Sequence, residues 1–123
     1  MKSANNTQVG GTHYKRGYQH WDLVPDTDMP YHLACATKYV SRWREKNGLE
    51  DLKKSIHYIQ KSKERGIFMP HHNVDFVAKF CKQLEPSDAV IISLIVGNQF
   101  IHAIDEINQR ISEVELGHTY IKG

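Results

Sequence analysis

The sequence predicts a mainly α-helical fold: an antiparallel helix hairpin plus two further helices, forming a small helical domain that oligomerises. Three observations carry that expectation. Apolar residues recur at three- and four-residue spacings through most of the chain. Glycines stand where helices in that register would end, at Gly48 and Gly66. The length of 123 residues, 40% of them hydrophobic, suits one domain with a genuine core.

Residues 1–12 are polar, end in Gly10-Gly11, and read as a flexible arm. Residues 13–30 are aromatic and loop-like, with Tyr14, Tyr18, His20 and Trp21 ahead of the turn-forming Pro25-Asp26-Thr27-Asp28. Asp28 offers an N-cap and Pro30 suits a first helical turn, so the first helix should run from Met29 to Lys46. Its apolar stripe is Leu33, Ala36, Val40 and Trp43. Asn47-Gly48 closes it.

A second helix should span Leu49 to Arg65, with Leu49, Leu52, Ile56 and Ile59 on one face, and Gly66 should terminate it. Lys61, Lys63 and Arg65 complement the negative end of its dipole. The short joint makes these two helices antiparallel neighbours. A third helix is expected from Val74 to Leu84, stopped by Pro86, with Ser87 or Asp88 capping the next segment. The stretch 89–116 is favoured as helix, although the β-branched run Val90 to Val96 also fits a buried strand. One unbroken helix there would be about 42 Å long, against a radius of gyration of about 14 Å for a compact chain of this size. It must bend, with Gly97 the obvious place, or project into a neighbouring subunit; hence the expected homo-oligomer. The whole then divides into residues 13–66, which carry the chemistry, and 67–123, which assemble.

Composition narrows the function classes. No apolar run approaches the roughly 20 residues of a membrane span, and MKSANNTQ lacks a secretory leader's apolar stretch, so a cytoplasmic protein with no membrane partner is expected. Cys35 and Cys81 are far apart and outside any CxxC motif, as reduced structural thiols would be. Between Lys38 and Arg65 nine basic residues face four acidic ones, whereas between Glu85 and Leu116 six acids face Arg110 alone. That asymmetry points to an anion-binding middle segment, nucleic acid being one candidate partner.

The phosphate motifs of common nucleotide enzymes are missing. Gly11 to Gly17 (GTHYKRG) is glycine-rich and basic, yet has no Lys-Ser/Thr pair after its second glycine, and no GxGxxG occurs. No Ser-His-Asp or Cys-His arrangement stands at a recognisable spacing. There remains a set of i,i+4 pairs. Lys38 and Arg42 share one side of the first helix beside Tyr39; Glu50, Lys54 and Tyr58 share one side of the second. Facing each other across the hairpin, they make a groove of cations and aromatics suited to a nucleotide, the cations holding phosphate and a ring stacking on the base. Glu50 and Asp51 are candidates to hold a hydrated Mg²⁺ against those phosphates, although acids in a first helical turn are also what the dipole favours. Trp21, on a loop, is a further candidate for base contact.

The ordered set GGTHY (Gly10 to Tyr14), KYVSRWR (Lys38 to Arg44) and GLEDLKKSIHYI (Gly48 to Ile59) resembles a small domain widespread in bacteriophages. The best-described member of that family is a nucleotide kinase that converts dGMP and dTMP to their diphosphates without a Walker motif. Position by position, the resemblance falls on His13, Tyr14, Lys38, Tyr39, Arg42, Glu50, Asp51, Lys53, Lys54 and Tyr58; Ser55 stands where alanine is usual. It implies a deoxynucleoside monophosphate kinase in the cytoplasm of an infected bacterium, with ATP or another nucleoside triphosphate as donor and Mg²⁺ as cofactor. Lys38, Arg42, Glu50 and Asp51 would be its catalytic residues, and His13, Tyr14, Tyr39, Lys53, Lys54 and Tyr58 its nucleotide contacts, to which the loop position of Trp21 adds that residue. The same groove without chemistry would make a nucleotide-sequestering, anti-defence protein. The basic segment could instead serve a nucleic-acid-binding or assembly module.

Overall fold

The structure is a computed structural model that describes residues 17–117. Among them are six helices and no strand: α1 (His20–Asp26), α2 (Tyr31–Arg42), α3 (Leu49–Arg65), α4 (Val74–Cys81), α5 (Pro86–Val96) and α6 (Phe100–Glu115). The all-helical expectation holds. The hairpin is α2 with α3, which share the most extensive interface in the molecule. A second hairpin, α5 with α6, faces it: α5 lies on α2 and α6 lies on α3, so that four helices close a ring. Helix α4 packs on α5, and α1 packs on α4.

The ring is filled by the expected stripes of α2 and α3 and by one face of α6, from which Ile101 is turned out to solvent. Leu33, Ala36, Val40 and Trp43 are buried on one side, Leu52 and Ile59 on the next, then Ala103 and Ile107. Fully burying an aliphatic side chain of this size contributes roughly 1.5–3 kcal/mol, enough that a few such residues decide the register of each helix. Helix α5 resolves the strand-or-helix ambiguity. It contacts α2, α4 and α6 together, so most of its circumference is covered, while Val90 and Ser93 stay exposed. Ile91, Ile92 and Ile95 are completely buried there, and packing overrides their preference for strand.

Several boundaries differ from expectation, each for a local reason. The aromatic segment before Pro30 contains helix α1, whose seven residues bury only Leu23 and so leave no apolar period to read. Asp22 Oδ2 accepts the Gln19 N–H at 2.9 Å to start it. Asp28 is not a cap: it takes a left-handed φ of 50° in the turn between α1 and α2, and Pro30 itself is the N-cap. Helix α2 ends at Arg42 instead of continuing to Lys46, because Trp43 to Gly48 form turns that lead to the left-handed Gly48 (φ 57°). Helix α4 stops at Cys81. Glu85 is the N-cap of α5, with Pro86 in its first turn, and Asp88 is buried for another purpose described below.

The expected bend falls at Gly97, where α5 ends. Asn98 adopts φ 61°, a conformation asparagine tolerates well. Its side chain accepts from the Met69 N–H at 2.7 Å and donates to the Met69 carbonyl at 3.2 Å, tying the α3–α4 connection to the turn. The chain thus absorbs within itself the length that suggests a projecting helix. One hydrophobic core runs from Tyr18 to Ile111 and is continuous across both halves of the sequence.

Candidate functional site

The α2–α3 interface brings Tyr39 and Tyr58 together, ring centroids 5.9 Å apart and 17° from parallel. Three cations gather around Tyr39. Lys38 Nζ, Arg42 Cζ and Lys54 Nζ lie 4.9, 4.7 and 5.4 Å from its ring centroid, within the range where a ring quadrupole attracts a cation. Tyr31, His32 and His57 pack around Tyr58 at 6.3–6.4 Å. An open hollow of about 640 Å³ lies here, lined by Tyr39, Glu50, Lys53, Lys54, His57 and Tyr58. That is the size range of small-molecule sites.

The charges in the hollow are held in place by their neighbours. Glu50 Oε1 is 3.2 Å from Lys54 Nζ, one helical turn away. Its hydrogen bond and negative charge raise the Lys54 pKa, so the ammonium stays charged. Asp51 behaves differently. It is completely buried, its Oδ2 accepts the Asn47 N–H at 3.2 Å, and Arg42 Nε lies 3.4 Å from the same oxygen. Asp51 therefore closes the joint between the helices and positions Arg42.

This separates the two carboxylates expected to share Mg²⁺. Glu50 is on the exposed side of α3 and Asp51 is inside the hairpin, so they do not form a paired oxygen site. Among the described residues no group of three His, Cys, Asp or Glu side chains stands close enough to hold a metal ion.

Of the other expected site residues, the structure brings Lys38, Tyr39, Arg42, Lys53, Lys54 and Tyr58 to one region of the hairpin. Trp21 is on α1, exposed, and is not among the residues lining the hollow. His13 and Tyr14 lie outside the described residues. His57 also lines the hollow, although the sequence reading does not single it out; its i,i+4 relation to Lys53 is the available signal.

The sequence places His20 among loop aromatics, and the structure half-buries it at the start of α1. Its Nε2 is 2.8 Å from Thr37 Oγ1, and its ring meets Phe80 edge-on at 5.8 Å. The Thr37 hydroxyl donates to the Leu33 carbonyl at 3.0 Å, so it receives the histidine N–H. Burial, and secondarily the Lys38 charge, lower the His20 pKa from 6.5 to about 4. The unfolded chain thus takes up this proton near pH 6.5 and the folded chain only near pH 4. Between those values the unfolded state binds more protons, and stability falls as the pH falls, by about 3 kcal/mol over the whole window. Denaturant titrations between pH 7 and 4.5 should show the decline, and His20→Gln, which keeps an N–H for Thr37, should flatten it. Equal slopes in the two proteins would remove His20 from this account.

No helix among the described residues is long and apolar enough to cross a membrane. Residues 10–60 match the DUF3310 family, described as a protein of unknown function. The DUF3310 match takes in α1, α2 and most of α3, and with them every hollow-lining residue named above. It leaves α4, α5 and α6 outside, and it covers under half of the chain. No curated protein and no solved structure matches the chain.

Proposed function

We propose that this is a nucleotide-binding protein whose ligand is a deoxynucleoside monophosphate such as dGMP or dTMP, held in the Tyr39–Tyr58 hollow, and that the groove transfers phosphate to it. The observation that supports this reading is the convergence of Lys38, Arg42 and Lys54 on one of two stacked tyrosines. Phosphate is held by point charges and by the planar guanidinium, while a base finds aromatic surface within the same few ångströms. Phosphoryl transfer asks mainly for positioning and charge stabilisation, which three cations supply without an acid–base pair. The resemblance to phage nucleotide kinases supports the catalytic half of the reading, with a nucleoside triphosphate as donor. No protein-held Mg²⁺ is part of it, since Asp51 is committed to the hairpin.

A second reading, retention without chemistry in a nucleotide-sequestering protein, is favoured by one feature. Neither carboxylate near the hollow is disengaged: Glu50 is paired to Lys54 and Asp51 is buried. One experiment decides between them. The protein is incubated with ATP, Mg²⁺ and a panel of nucleoside monophosphates, and both products and protein-bound ligand are identified by mass spectrometry. Diphosphate products that vanish in Lys38→Ala and Lys54→Ala are the expected result. Ligand recovered intact without turnover supports retention. Binding of polynucleotide alone, weakening steeply with salt, would overturn both.

A further inference from the structure

A second, smaller hollow of about 170 Å³ lies beside the first, where α1 and α4 approach α2. His20 and Phe80 form part of its wall, and its cations are Lys38, Arg42 and Lys46 against the single carboxylate of Glu45. Lys38 and Arg42 stand between the two places. Their side chains line this hollow, while their charged groups lie within 5 Å of the centroid of the Tyr39 ring, which lines the other. The two hollows are therefore neighbours divided by a ridge of two cations.

Their characters differ. The first is wide and aromatic; the second is below the roughly 300 Å³ at which sites for drug-sized ligands begin. It is too small for a base and sugar together, and its net positive lining suits a compact anion. The walls of the second hollow come from outside the hairpin as well as from it: Tyr18 and Gln19 precede α1, and Phe80 is on α4. Gln83, just after α4, donates through Nε2 to the Tyr18 carbonyl and fixes that wall to the α4 side.

We infer that this second hollow is a phosphate subsite, receiving the phosphates beyond the first when a nucleoside di- or triphosphate takes the place of the monophosphate, its base and sugar in the Tyr39–Tyr58 hollow. The inference rests on the nucleotide reading of that first hollow and adds a preference to it. Chain length of the phosphate, and not only the base, should govern affinity, because each added phosphate passes over the Lys38–Arg42 ridge toward Lys46.

Calorimetric titration of the full chain with thymidine mono-, di- and triphosphate and with inorganic tripolyphosphate tests this. The triphosphate should bind at least about tenfold more tightly than the monophosphate, the equivalent of one charge-assisted contact. Lys46→Ala should bring that ratio toward one. Lys61→Ala, which removes an exposed charge paired with Glu64 on the far part of α3, should leave the ratio unchanged and so control for net charge. Equal affinities for mono- and triphosphate in the native protein would overturn the subsite while leaving the first hollow intact. Binding of tripolyphosphate that depends on Lys46, with no binding of any thymidine nucleotide, would uphold the subsite and discard the nucleotide reading. No binding of either would discard both.

Discussion

Asp88→Ala should destabilise the fold by about 3–4 kcal/mol, the range seen when one partner of a buried charge pair is removed. Asp88 joins the end of the first hairpin to the start of the second. Its Oδ1 accepts from Trp43 Nε1 at 3.1 Å, and its Oδ2 accepts from Arg44 Nε at 2.8 Å. The Arg44 guanidinium also lies 4.4 Å from the Trp43 ring centroid and reaches Ser87 Oγ at 3.3 Å. Removing the carboxylate leaves a completely buried indole N–H without an acceptor and an arginine, itself mostly buried, without its counter-ion. A loss of that size is a large share of the 5–15 kcal/mol that holds a typical domain together.

Asp88→Asn separates the two contributions. The carboxamide oxygen can still accept from Trp43, but the charge facing Arg44 is gone, so about half of the loss should remain, charge-assisted bonds being worth about 1.5–3 kcal/mol. Urea midpoints read at unchanged m-value measure both variants. A shift below about 1 kcal/mol for Asp88→Ala would show that solvent replaces the carboxylate and that the clasp is incidental. Ligand affinity at temperatures where the variant remains folded should not change, since Asp88 lines neither hollow of the candidate site.

The hairpin is legible in the sequence because two independent signals agree there. Leu33, Ala36 and Val40 match Leu52, Ile56 and Ile59 in period, and Gly48 supplies a φ of 57° at the joint. Helix α1 leaves no such trace, being two turns long with one buried residue. The Asp88 clasp is illegible for a different reason: its partners are 44 and 45 positions away, and an acid after a proline looks like a helix cap from sequence. The site divides the same way. The i,i+4 pairs Lys38/Arg42 and Glu50/Lys54 are visible because a helix enforces their proximity. Glu50 and Asp51 look equivalent in sequence, and only the packing of α3 against α2 shows that one points out and the other in. The wall of the smaller hollow requires α1 and α4 to arrive against α2, which no local pattern records.

Arg42→Ala should abolish mononucleotide binding and also destabilise the protein, and the two losses have different origins. Arg42 Cζ sits over the Tyr39 ring where a phosphate would be met, so its removal takes away a planar two-pronged donor that lysine does not replace. The same side chain faces Asp51, and without it a completely buried carboxylate keeps only the Asn47 N–H. That second effect should be about 2–3 kcal/mol, below the full value for a buried pair because Arg42 is itself partly exposed. The double variant Arg42→Ala/Asp51→Asn tells them apart. Its carboxamide at position 51 retains an oxygen for the Asn47 N–H and carries no charge, so the double variant should recover most of the stability while binding stays lost. Recovery of binding along with stability would mean that Arg42 acts only by holding the hairpin closed, and the phosphate contacts would then fall to Lys38 and Lys54. Normal binding by the single variant would remove Arg42 from the site altogether, and with it the ridge that links the smaller hollow to the first.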